Sequence, residues 1–255
     1  MKNYFSTLLF FLLSLNFTSC NNDSNTTPTA TNSTTATQPI VVIVGYDRSS
    51  SFSHFTPITS EHLQTICKWL TTRGKGGVIA FGTIGNSKDE SLLRCVITPL
   101  PDAQNPDLTL SARAAAAMAE DEINKANNKA IEDFLAKAMP KLDPRFLETE
   151  TDLNNFWSKC ENLLQEPQLS NHEKIVFAYT DGVHDTQSSK SKKRLYCPNF
   201  EELGVTLCMS GWANDKAICK GAKTLLFESP EGFVSNLTAN KIQNTPLSEH
   251  VQDIK

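Results

Sequence analysis

Apolar residues along this chain fall into short unbroken runs, helix-period stripes and one long run at the start. Pro39 to Tyr46 reads PIVVIVGY, a Val- and Ile-rich run that fits a strand buried on both faces, as in a parallel sheet. Gly77 to Ile84 and Leu92 to Leu100 read as two further strands. The Gly-Asn-Ser-Lys-Asp turn between them allows a hairpin, and with it one antiparallel edge strand. Lys174 to Thr180 (KIVFAYT), Gly204 to Ser210 (GVTLCMS) and Lys223 to Glu228 (KTLLFE) supply three more strands.

Between these runs the period changes to that of a helix. Thr59 to Arg73 carries Leu63, Ile66, Cys67 and Leu70 on one face, and Gly74 follows as a stop. Thr151 to Gln165 carries a stripe of Leu153, Phe156, Trp157, Cys160, Leu163 and Leu164, closed by Pro167. A long segment, Leu108 to Met139, is built largely from Ala, Glu, Lys and Asn, with Met118, Ile123, Ile131, Phe134, Leu135 and Met139 as its apolar positions. Its centre, Glu120 to Lys129, is strongly polar, and its heptads are too broken to favour a coiled-coil arm, the alternative, over a solvated helix. A solvated helix is expected there. A fainter stripe covers Glu231 to Ile242. Strands alternating with helices predict an α/β fold: a doubly wound, mostly parallel central sheet with helices on both faces. No internal repeat or second boundary interrupts residues 39–255, so one domain is expected, with 108–139 as a helical insertion.

The long run at the start has another meaning. Phe5 to Phe17 follows Met1-Lys2 and is shorter than the about 20 apolar residues that span a bilayer, which is the profile of a signal peptide. It ends in Phe17-Thr18-Ser19-Cys20. An apolar residue, two small ones and Cys resemble the lipobox of bacterial lipoproteins, in which the Cys is lipidated and becomes the new N-terminus after cleavage. An ordinary secretory signal with an incidental Cys is the alternative. Asn21 to Gln38 is almost wholly Asn, Ser, Thr, Ala and Pro, with nothing to offset its backbone entropy, and reads as a tether. The expected organisation is a signal peptide at 1–19, a lipidated Cys20 with its tether at 20–38, and the domain beyond. This implies a cell-envelope location, at the outer membrane or cell surface, with membrane attachment through the lipid.

Composition narrows the partner. The 255 residues carry 24 Lys and Arg against 28 Asp and Glu, a net charge of -4. Without a basic block, the chain offers nothing to displace counterions from phosphates, so no nucleic-acid partner is expected. No C-x-x-C spacing, G-x-S-x-G elbow, P-loop or H-E-x-x-H occurs. Of the cysteines, Cys67, Cys160 and Cys208 fall on apolar stripes or in a strand, as buried thiols would. Cys197 and Cys219 flank one strand in loop-like surroundings and form the expected disulfide, while Cys95 is unassigned.

The ends of two strands carry the chemistry. The first run ends in Asp47-Arg48-Ser49-Ser50-Ser51, a D-x-S-x-S string, and Lys174 to Thr180 is followed by Asp181-Gly182. Thr151 stands where a helix begins. This set, in this order, resembles the von Willebrand factor type A (integrin I-type) domain, over most of residues 39 to 230. The resemblance implies a metal-ion-dependent adhesion site with Asp47, Ser49, Ser51, Thr151 and Asp181 as metal residues. It also implies Mg²⁺ or Mn²⁺ as the ion, and a partner protein presenting a Glu or Asp carboxylate to the vacant position. Independently, carboxylate and hydroxyl oxygens without His or Cys suit a hard divalent cation rather than zinc. Family domains often have Gly before the Thr, whereas Glu148-Thr149-Glu150 stands here, which leaves Thr149 as an alternative ligand and an N-cap as an alternative role for Thr151. His184 and Asp185, just beyond, read as rim residues.

The expected function is a binding module with no catalytic residue. Two other readings stay open. A phosphate-ester hydrolase could use Asp47 as nucleophile, although Ser49 stands where the D-x-D type has its general acid. A metal-free envelope scaffold could make its contacts through the long helix.

Overall fold

A computed structural model describes residues 38–85, 91–145, 147–184, 196–211, 219, 222–244 and 251–254. The signal peptide, Cys20 and the tether up to residue 37, together with Asp185, lie outside the described residues. The described residues belong to one compact unit, Thr37–Lys255. Its elements are β1 (Ile40–Asp47), α1 (Ser60–Thr72), β2 (Gly77–Ile84), β3 (Leu93–Ile97), α2 (Leu110–Leu142), α3 (Leu153–Leu164), β4 (Glu173–Tyr179), β5 (Val205–Ser210), β6 (Lys223–Phe227), α4 (Pro230–Thr238), α5 (Lys241–Asn244) and β7 (Val251–Ile254).

Among the described residues the strands form one seven-stranded sheet in the order β3-β2-β1-β4-β5-β6-β7. All pairings are parallel except β2 with β3, which forms the expected antiparallel edge. Alternation in β1 sends its side chains to two cores. Ile40, Val42, Val44 and Tyr46 pack with α1, α4 and the second half of α2. Val41 and Ile43 pack against α3, whose Leu153, Phe156, Trp157 and Cys160 cover the other face. A sheet covered on both sides must be apolar on both, which is why the strand runs are unbroken.

One row of small residues sets the position of α3. Gly45 pairs with Gly82 on one side and Ala178 on the other. The Phe156 ring drops into that row so closely that a Cβ on Gly45 would lie 2.2 Å from its Cζ. Seating Phe156 on the sheet brings the start of α3 beside the carboxyl end of β1.

The long helix is largely solvated at its polar centre, as expected, apart from Asn127, but its later turns are not. It extends to Leu142 through Pro140, and its second half buries Ile131, Phe134, Ala138 and Leu142. Pro140 is tolerated because it sits in the final turn, where the missing N–H costs a single bond. Within the polar centre, Asn127 is 2% exposed. It accepts from Thr98 N at 2.9 Å and donates to Thr98 O at 3.0 Å, capping the backbone just past edge strand β3. The strand expected to reach Leu100 ends at Ile97 there. The faint stripe at Glu231 to Ile242 is two helices, α4 and α5, divided at Asn240, whose φ is 57°. Strand β7 was not expected, because four residues are too few to display a period. Cys197 and Cys219 form a disulfide with a Cα–Cα distance of 5.6 Å, whereas Cys67, Cys95, Cys160 and Cys208 are buried thiols.

Candidate metal centre

The strand order reverses between β1 and β4: the chain leaves β1 towards β2 and leaves β4 towards β5. Crevices at such a switch point, beyond the carboxyl ends of the strands, are where open α/β sheets bind ligands. Tyr46 pairs with Tyr179, so Asp47 and Thr180 stand level, with Asp181 one residue further on.

The D-x-S-x-S loop is held at its far end by Phe52. This residue closes a short 3-10 turn (Ser50–Phe52), is 3% exposed, and packs edge-on against Tyr179 with centroids 4.7 Å apart. Gly211, at φ +78°, makes room for it, since a Cβ there would lie 2.6 Å from the Phe52 ring. With both ends of the loop fixed, its alternate residues face one point. Ser49 Oγ and Ser51 Oγ lie 3.0 Å apart, and Ser51 Oγ donates to Asp181 Oδ2 at 2.9 Å. Ser49 N donates to Asp47 Oδ1 at 2.9 Å.

Thr151 reaches the same carboxylate, donating to Asp47 Oδ1 at 3.5 Å. It is not the helix cap: Asp152 caps α3 by accepting from Asn155 N at 3.0 Å. Thr149 is exposed, whereas Thr151 is 2% exposed. The Thr151 loop is tied to the first by a parallel bridge between Ser49 and Glu148 and by Glu148 N donating to Arg48 O at 2.9 Å. All five residues singled out from the sequence therefore meet. His184 is half-buried just beyond Asp181.

Sequence reasoning assigned Thr180 no role. It is fully buried, donates to Asp47 Oδ2 at 2.6 Å and accepts from Gly182 N at 3.1 Å. A Thr at a strand end gives no signal of this, because only the register sets it level with Asp47.

Asp47 and Asp181 are 1% and 8% exposed. Burial pushes the Asp47 carboxyl above its ordinary value and the charge of Asp181 adds to this, against hydrogen bonds from Thr180 and Ser49 that favour the charged form. Four ion pairs, His62 with Glu231, Arg94 with Glu166, Lys125 with Asp121 and Arg145 with Asp143, involve neither Asp47 nor Asp181. Two buried like charges in one hydrogen-bonded group are costly unless a positive charge joins them. The donors are carboxylate and hydroxyl oxygens, which fit a hard divalent cation. Among the described residues no group of three or more His, Cys, Asp or Glu side chains is placed to hold a metal ion, so hydroxyls would have to complete any such set here. Asp47, with both oxygens already accepting, is the anchor of the group, and Ser49, Ser51 and Asp181 are its open side.

No family model and no curated protein matches the chain. Among solved structures, proximal thread matrix protein 1 from the mussel byssus is similar at a TM-score of 0.38 and 13% identity, over 82% of this chain and 46% of that one. The pilus adhesin SpaC of Lactobacillus rhamnosus GG, in its open conformation, is similar at 0.38 and 12%, over 82% and 30%. The human COPII-coat protein Sec24c is similar at 0.30 and 13%, over 80% and 32%. The chain spans less than half the length of each, and likenesses of this order carry no argument about function.

Proposed function

We propose that this chain is a divalent-cation-dependent protein-binding module of the von Willebrand factor type A kind, tethered to the bacterial cell envelope by a lipid on Cys20. The observation that carries the reading is the meeting of Asp47, Ser49, Ser51, Thr151 and Asp181 at the switch point between β1 and β4. In this reading Ser49, Ser51, Thr151 and Asp181 hold Mg²⁺ or Mn²⁺, and Asp47 orients Ser49 and Thr151. A cation held there supplies a Lewis-acidic position that accepts a carboxylate from a partner protein. Thr180 and the backbone N–H of Val183, which donates to Asp181 Oδ1 at 2.9 Å, keep the two carboxylates apart and correctly turned.

The burial of Asp47 supports binding over phosphoryl attack. A nucleophile needs an approach path, and both Asp47 oxygens already accept hydrogen bonds.

The test is capture of partners from envelope extract by the full chain in Mg²⁺, with chelator, and with Asp47→Ala. The reading expects capture in Mg²⁺ alone; capture unaffected by chelator and by the substitution would end it. Attachment is tested separately. Cys20→Ala should move the chain from the membrane fraction to the soluble one, and an unchanged distribution removes the lipid anchor from the account.

A further inference from the structure

We propose that Cys67 and Cys95 are a dithiol that closes into a disulfide between α1 and the edge strand β3 when the chain folds in the presence of a disulfide oxidant. Each thiol owes its position to its own element. Cys67 lies on the buried stripe of α1 with Leu63, Ile66 and Leu70, and Cys95 is the middle residue of β3, opposite Ile79 of β2. Alternation along β3 turns Arg94 and Val96 outward, and Cys95 and Ile97 into the face of the sheet that α1 covers. Both cysteines are buried in the same apolar cluster, and their thiols are hydrogen-bonded to each other. The other two buried thiols stand apart from this pair, Cys160 in the core on the opposite face of the sheet and Cys208 in β5.

The pair is not symmetric. The hydrogen bond between the thiols raises that of Cys67, helped by burial, and lowers that of Cys95, against burial. Cys95 is therefore the sulfur that loses its proton first and attacks. It also lies on a strand that, among the described residues, is paired on one side alone, with β2, so it is exposed to solvent by opening of that edge rather than of the whole sheet. The oxidant is the disulfide of a small thiol or of a dithiol oxidoreductase. The Cys95 thiolate attacks one of its sulfurs, the oxidant's S–S bond breaks, and the departing thiolate takes up a proton. Cys67 then gives up its proton and attacks Cys95 Sγ, and the second oxidant sulfur leaves as a thiol. The chain has lost two electrons and two protons to form one S–S bond, and the oxidant has gained both.

The test uses the full chain with Cys20→Ala, so that no thiol outside the domain competes. It is refolded from urea in a buffer rich in glutathione disulfide, with refolding without oxidant as the reference, and remaining thiols are alkylated under denaturing conditions and mapped by peptide mass. Refolding removes burial as a barrier to the oxidant. The expected result is a linked pair of Cys67 and Cys95 peptides and the loss of two of the four alkylatable thiols. The melting temperature should rise by about 5–10 °C over the reference, because the bridge closes a loop of about 30 residues. Cys67→Ala should leave Cys95 as a glutathione adduct and abolish that rise. Recovery of both Cys67 and Cys95 as alkylated thiols after oxidising refolding overturns the proposal. A bridge from either one to Cys160 or Cys208 overturns it too, as does a glutathione adduct on Cys95 that never closes in the presence of Cys67.

Discussion

At the amino edge of the sheet, Glu173 opens β4 near Arg73, just ahead of β2, and Lys223, the first residue of β6. Burial pushes the Glu173 carboxyl up, and the two cations pull against that rise. At the carboxyl edge, Asp47 and Asp181 are more deeply buried, and each has the other's negative charge for company. Among the described residues, the same strands thus end in charge partly balanced by cations on one side and in unbalanced charge on the other. Balanced charge serves the fold alone. Unbalanced charge reduces stability until something positive arrives from outside, so substitutions at the two edges should differ in kind: the amino side should change stability, and the carboxyl side the response to cations.

The largest stability effect is expected away from the site. The Cys197–Cys219 disulfide joins residues that precede β5 and β6, with a sequence separation of 22. Cys197→Ser should lower the unfolding free energy by about 3 kcal/mol in urea, with the Mg²⁺ response retained. A loss of that response would break the division between the two sides.

Next comes the cation itself. At Mg²⁺ about a hundredfold above its Kd, the wild-type chain should gain about 2.7 kcal/mol, a rise in melting temperature of about 5–10 °C. Asp181→Asn should lose this gain. In chelator it should be at least as stable as wild type, because a like charge is gone from the site.

A smaller effect is expected at the amino edge. Glu173→Gln should change stability by about 0.5 kcal/mol or less, since relief of the buried carboxylate offsets the attraction lost to Arg73 and Lys223, and should leave the cation-induced shift intact. The smallest is a pH slope. Burial holds His172 below its ordinary value, helped by Lys174 and Arg94. The folded chain therefore binds fewer protons than the unfolded one just below that value, and stability falls as pH drops through about 6.5. His172→Gln should flatten the urea midpoint between about pH 7 and pH 5.

Much of this was legible in the sequence because the signals were local. Unbroken runs such as PIVVIVGY fix strands buried on both faces, whereas the five site residues were joined by the resemblance to type A domains, since D-x-S-x-S alone is a common turn string. The choice of Thr151 over Thr149 was not local. It depends on Phe156 sinking into the row of Gly45, Gly82 and Ala178, which periodicity cannot reveal. Thr180 was hidden for the same reason, since its role follows from β1–β4 register. Asn127 read as solvated because a polar residue on a helix gives no sign that edge backbone awaits it. β7 is too short to show a pattern.

The central claim is that a cation binds at the carboxyl edge, and paramagnetic broadening by Mn²⁺ tests it most directly. With substoichiometric Mn²⁺ added to the isotope-labelled full chain, the amides of Ser49, Ser51, Thr151 and Gly182 should broaden first, and Asp181→Asn should abolish that selectivity. Broadening that begins instead at the acidic residues Glu120, Asp121 and Glu122 of α2, with the switch point untouched, would contradict the account.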